Sequence, residues 1–245
     1  MPVAAPARAD LGATPLIIEA EAERGQAEGT IRVRNTGNEL LRVRVYAEPF
    51  IYDRDQGFQT VSEIPNDLAP YLIFSPREFE IQPRSERRVR LAIRLAPSLP
   101  DGEYRTVVFS ETLAESDGDS GVGLLTRVGT TVYVRKGELS PDLAVDQAQF
   151  DVETNQIELL VRNIGTASVL PEIDWTLSQQ GNQIYGRTFP FGTVLADSER
   201  LVPIFIPSEE QGPLASGEYQ LTGKLTWGEG DRQQVAPFST TVIVP

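Results

Sequence analysis

Val33-Arg34-Asn35-Thr36-Gly37 and Val161-Arg162-Asn163-Ile164-Gly165 are one pattern written twice. In each, a strand-like run ends in Asn-x-Gly. Two further matches follow in the same order. Ser85-Glu86-Arg87 opens a later run in the first half, and Ser198-Glu199-Arg200 opens its counterpart. Gly102-Glu103-Tyr104 then matches Gly217-Glu218-Tyr219. A three-residue match arises easily by chance. Three of them in one order, each set in strand-like text, predict two copies of one domain.

The text around these matches is β. Thr30 to Arg34 alternates, with Ile31 and Val33 on one face and Arg32 and Arg34 on the other. Leu41 to Tyr46 alternates again after the Asn-Gly turn, and Val89, Leu91, Ile93 and Leu95 mark the inward face of a longer run. A period of two signals half-buried strands. Leu16 to Ala22, Arg105 to Thr112 and Val122 to Val134 complete the first half. Gln156 to Arg162, Glu172 to Leu177, Leu201 to Ile206, Tyr219 to Trp227 and Ser239 to Val244 serve the second. No segment carries a long 3.6-residue stripe. The fold class is therefore all-β: two tandem immunoglobulin-like β-sandwich domains. The small, Pro-rich residues 1–14 read as a flexible lead, 15–137 as the first domain and 138–245 as the second. Tyr104 and Tyr219 each follow a Gly turn and precede an apolar run. That placement suits a tyrosine corner, in which a buried phenol bonds a backbone carbonyl.

Composition narrows the chemistry. With 22 basic and 35 acidic residues in 245, the net charge is −13, which disfavours phosphate backbones and anionic lipid surfaces. No apolar run approaches the roughly 20 residues that span a bilayer, so no membrane insertion is expected. Cysteine is absent, so each half must hold itself by its core. Histidine is absent too, which removes the Ser-His-Asp and Cys-His machineries and the usual zinc ligands. No phosphate loop or dinucleotide fingerprint occurs. Asp53-Arg54-Asp55 and Asp117-Gly118-Asp119 invite a calcium reading, but the twelfth positions of the two loops are Ile64 and Val128 where a Glu is needed. The chain is read as a non-enzyme with no cofactor, metal or catalytic residue. Ala7-Arg8-Ala9 has the small-x-small form that precedes a secretion cleavage site, although an Ala/Pro-rich end explains the fragment more simply.

Ser75-Pro76, Phe79-Glu80-Ile81-Gln82-Pro83, Arg88-Val89-Arg90-Leu91, Leu99 to Arg105 and Val132-Tyr133-Val134-Arg135 together resemble the PapD-like periplasmic pilus chaperones. The second domain matches that family in length and class. The resemblance implies a periplasmic protein, its signal peptide removed, that binds pilus or fimbrial subunits and delivers them to an outer-membrane usher. The implied mode is donor-strand complementation, in which the chaperone's last first-domain strand fills an open groove in the subunit. Val122, Leu124, Thr126 and Val128 alternate along that strand; they enter the subunit groove or face this domain's own core, and the sequence leaves both open. The family anchors the subunit's terminal carboxylate with a basic pair. Here the corresponding positions fall near Glu19 and at Thr131, and neither is basic; Arg127 lies nearby as a cleft candidate. Arg135, one residue before the link between domains, is read as an interdomain clamp. The alternative is a non-catalytic envelope adhesion module, because tandem sandwiches serve many roles.

Overall fold

In the computed structural model of the protein, residues 10–113, 125–204, 206, 214–228 and 230–245 are described. The chain divides into two units, residues 1–51 with 59–138 and residues 52–58 with 139–245. Both are β-sandwiches.

The first unit contains β1 (Leu11–Thr14), β2 (Ile17–Glu21), β3 (Gln26–Asn35), β4 (Leu41–Glu48), β7 (Leu72–Ser75), β8 (Glu78–Ile81), β9 (Glu86–Arg94), β10 (Gly102–Thr112) and β11 (Arg127–Lys136); β5 (Phe50–Asp53) and β6 (Gly57–Thr60) form a separate hairpin. One sheet runs β1-β3-β9-β7 and the other β2-β11-β10-β4-β8. Ile31 lies opposite Val89 across β3 and β9, and both side chains are fully buried. Val45, Val108, Val132 and Val134 close the same core from the second sheet. The outward-facing set on β3 is the charged half of the alternation, as a period of two requires.

The second unit contains β12 (Leu143–Asp151), β13 (Gln156–Asn163), β14 (Glu172–Gln179), β15 (Asn182–Pro190), β16 (Ser198–Ile204), β17 (Gly217–Trp227) and β18 (Gln234–Val244), in sheets β12-β13-β16 and β15-β14-β17-β18. Trp175, Ile173 and Leu177 of β14 pack with Ile157 and Leu159 of β13 in its core.

Two of the three repeated motifs, Asn-x-Gly and Ser-Glu-Arg, prove to be neighbours within each unit. Asn35 is fully buried; its amide donates to the carbonyls of Glu39 and Ile81, and its Oδ1 accepts from the Gly37 N–H. Asn163 does the same in the second unit, donating to Ala167 and Val194 and accepting from the N–H groups of Gly165 and Asp142. A buried amide of this kind satisfies loop backbone groups that would otherwise be desolvated without partners. The glycine is needed for closeness: a Cβ at Gly165 would sit 2.4 Å from the backbone of Ser140 and Asp142. The Ser-Glu pair lies across the ladder, Arg34 facing Glu86 and Arg162 facing Glu199. Each Ser closes its own turn, Ser85 Oγ donating to the Gln82 carbonyl at 2.7 Å and Ser198 Oγ to that of Leu195 at 2.8 Å.

Two sequence readings need correction. Leu11–Thr14 is not part of a flexible lead: it is a strand paired with β3, with Leu11 buried, and the chain then switches sheets so that β2 pairs in parallel with β11. The run from Leu16 to Ala22 is β2 alone. The last strand is not one run from Val122 to Val134: it spans Arg127–Lys136, with Leu125 and Thr126 before it and outside any strand, while Val122, Leu124 and the segment from Glu115 to Gly121 lie outside the described residues.

Candidate functional site

β11 is bordered by β10 along its whole length, but by β2 only from Thr131 to Arg135. Among the described residues, Arg127–Thr130 therefore pair with a strand on one side only, Thr130 also bonding the Pro15 carbonyl through its hydroxyl at 2.9 Å. Which backbone groups this leaves open follows from ladder parity. The Thr131 N–H donates to Leu16 and the Arg135 carbonyl accepts from Ala22, whereas the Thr126 carbonyl accepts from Thr112 on the β10 side. Odd-numbered residues of β11 thus direct their backbone groups away from β10, so Arg127 and Gly129 present N–H and C=O at the uncovered edge. Such an edge is a template for another strand.

The same parity sorts the side chains. Val128 is half-buried and packs on this domain's own core, in line with Val132 and Val134. Arg127 projects to the outer face, its guanidinium 4.2 Å from the Phe109 ring centroid. It also donates to the Tyr46 hydroxyl at 3.4 Å and approaches Glu48 at 3.9 Å. Behind it, Glu111 is a buried carboxylate accepting from Tyr46 and Arg44, both at 2.7 Å. Those bonds, Tyr46 first, hold the Glu111 carboxyl below the usual carboxylate range. The Tyr46 hydroxyl in turn raises the Arg127 guanidinium. Gly129 leaves room for these rings: a Cβ there would meet Phe109 and Val107 at 2.9 Å.

Further along the face, Arg135 bridges two carboxylates of the first unit, Glu19 at 3.1 Å and the buried Glu103 at 3.3 Å. Partial burial raises the Glu19 carboxyl, and the Arg135 charge opposes it. Burial likewise lowers the neighbouring Arg105 guanidinium, which lies 5.9 Å from the Phe50 ring centroid.

Of the residues singled out in the sequence, Thr126 bonds Thr112 at the end of β10, its N–H reaching the Thr112 Oγ1 at 3.0 Å. Thr131 is buried and faces Ile17, while Glu19 faces Tyr133, so these two positions are offset along the ladder and do not meet. Glu19 is brought instead to Arg135. Tyr104 Oη donates to the Pro100 carbonyl at 2.9 Å and Tyr219 Oη to that of Ala215 at 2.8 Å, each four residues upstream. Sequence reasoning missed Glu103, Glu111 and Tyr46. One signal was present: Glu103 is the central residue of a repeated triplet whose counterpart, Glu218, is exposed.

No family model matches the chain, and no curated protein matches it. Solved structures do. A class 5 fimbriae chaperone, CfaA, superposes with a TM-score of 0.51 at 13% identity, covering 96% of this chain and 99% of its own. A chain from a chaperone–tip adhesin complex of CFA/I fimbriae biogenesis gives 0.51 at 13% identity, covering 95% and 99%. A chain from the CsuC–CsuE chaperone–tip subunit pre-assembly complex of Acinetobacter baumannii Csu pili gives 0.50 at 16%, covering 96% and 99%. The chain thus has the all-β, two-domain fold of the PapD-like fimbrial chaperones.

Proposed function

We propose that this protein is a non-enzymatic periplasmic chaperone that captures pilus or fimbrial subunits by offering them the free edge of β11. One observation carries the reading: among the described residues, Arg127–Thr130 pair with β10 and with no second strand. The fold supports it, being that of chaperones solved with a tip adhesin or a tip subunit. In this mechanism the subunit's strand pairs with the N–H and C=O groups of Arg127 and Gly129. Register and backbone pairing give affinity, while side chains along the strand select the partner. The domain division near 136–141, delivery to an usher and use of the side chains at 122 and 124 in the subunit groove belong to the same proposal. In place of the family's basic anchor pair this reading has Arg135 held between two carboxylates, Glu19 and Glu103.

The test is co-expression with a panel of fimbrial subunits. Arg127→Pro removes one edge donor without touching the β10 ladder, whereas Arg127→Ala keeps it. Subunit recovery should fall at least tenfold for the proline variant and much less for the alanine variant. Equal recovery by both would place binding elsewhere. If no subunit is recovered even with the unaltered chain, the adhesion-module reading gains.

A further inference from the structure

We infer that the outer face of the β1-β3-β9-β7 sheet is a docking surface for an extended acidic polypeptide segment. The argument begins with register. Arg32 lies directly opposite Arg88, and Arg90 lies diagonally beside Arg32, opposite Thr30. Arg34 is next along β3. All four arginines are exposed. Like charges directly opposite on a sheet repel and oppose folding. Elsewhere the chain gives several outward arginines carboxylates: Arg42 with Glu78, Arg44 with Glu111, Arg135 with Glu19 and Arg162 with Asp146. Here it does not. Among the described residues Arg32, Arg34, Arg88 and Arg90 make no ion pair, although Glu86 faces Arg34 across the ladder and Glu28 lies two residues from Thr30. The flanking outward positions, Thr14 on β1 and Ser75 on β7, carry hydroxyls and no acid.

The surface is contoured. A depression of about 360 Å³ lies between Thr14, Thr30, Arg32, Arg88 and Arg90. A second, of about 600 Å³, continues past Arg88 and Arg90 to Ser75 and Phe79. The chain has 20 arginines and 2 lysines, and the arginine fork bonds carboxylates two at a time.

Spacing favours a polypeptide. Arg32 and Arg34, and Arg88 and Arg90, are each two residues apart on a strand, about 6.8 Å. An extended segment with Asp or Glu at alternate positions repeats at the same distance, so successive carboxylates meet successive guanidiniums. An anionic membrane would instead approach the whole molecule, whose net charge of −13 repels it. This surface lies on the sheet that does not contain β11, so the inference stands apart from subunit capture.

The probe is a fluorescein-labelled peptide of repeating Glu-Thr, with repeating Gln-Thr as its control, read by anisotropy. The Glu peptide should bind and the Gln peptide should not, with affinity falling as salt rises. Arg32→Gln/Arg88→Gln should weaken binding about tenfold or more, because charge-assisted bonds are lost. Arg232→Gln, an exposed arginine of the second unit, should not. The double variant should melt no lower than the unaltered chain, since it relieves a like-charge pair. Equal binding of both peptides, an unchanged affinity in the double variant, or a lowered melting temperature would each overturn the inference. So would binding of phosphatidylglycerol vesicles, or self-association, that depends on Arg32 and Arg88 while the Glu peptide is ignored.

Discussion

Asn35 and Asn163 show why a weak sequence match marked a strong structural feature. Each is a buried amide that makes at least three bonds to loop backbone. Alanine at either site takes partners from loop backbone groups, among them the N–H of Gly37 or Gly165, at about 1–3 kcal/mol for each buried group left unpaired. Urea midpoints of Asn35→Ala and Asn163→Ala should therefore fall markedly, and unchanged midpoints would refute the role. Tyr104→Phe and Tyr219→Phe remove a single bond each, so a loss of about 1 kcal/mol is expected in the same measurement. Glu111 yields a pH prediction. Its carboxyl is held below the ordinary range in the folded state, so its contribution is present above the unfolded value of about 4.3. That contribution is lost as pH falls through the lower folded value. The melting temperature of Glu111→Gln should lie below that of the unaltered chain at pH 7, and the gap should close on acidification below pH ~4. A gap that persists at acid pH would mean that the Glu111 charge is not what matters.

At the scale of elements, the first strand is the instructive case. Leu11–Thr14 pairs with β3 and Ile17–Glu21 pairs with β11, so one short stretch serves both sheets. Because β2 begins at the level of Thr131, no described strand covers the edge of β11 toward Arg127, and this edge and the sheet switching have one origin. Leu11 is buried at the sandwich end. Leu11→Ala should cost about 2–3 kcal/mol in chemical denaturation, within the range for truncating a buried leucine. A neutral result would return these residues to the status of a lead. Composition had argued for that status, since Pro, Ala and Gly dominate the first fourteen residues; pairing with a neighbour outweighed propensity, as it often does for strands.

At the scale of the molecule, both tryptophans, Trp175 and Trp227, belong to the second unit's core. Intrinsic tryptophan fluorescence therefore reports that unit. Asn163→Ala should shift the fluorescence-monitored transition more than Asn35→Ala does, while far-UV circular dichroism registers both. Equal shifts in fluorescence would show that the two cores melt as one.

The sequence by itself determined the all-β class, the doubling of the sandwich and the inward set of each strand. Alternation is local, and a period of two fixes which face is buried wherever one face must leave water. The equivalent motifs were readable for the same reason, although their purpose was not: Asn35 reaches Ile81 across 46 residues, and no local pattern encodes that bond. Only the tertiary structure decided the composition of the candidate site. Arg135 meets Glu19 across 116 residues and Glu103 across 32, and Glu111 meets Tyr46 across 65. Strand order, which sets β2 and β10 on either side of β11 and β4 beside β10, brings those charges together. The partnerless arginines of the opposite sheet became visible only when register set Arg32 against Arg88. Side-chain periodicity is written in the chain, whereas the pairing of one strand with another is chosen by the packing of the whole domain.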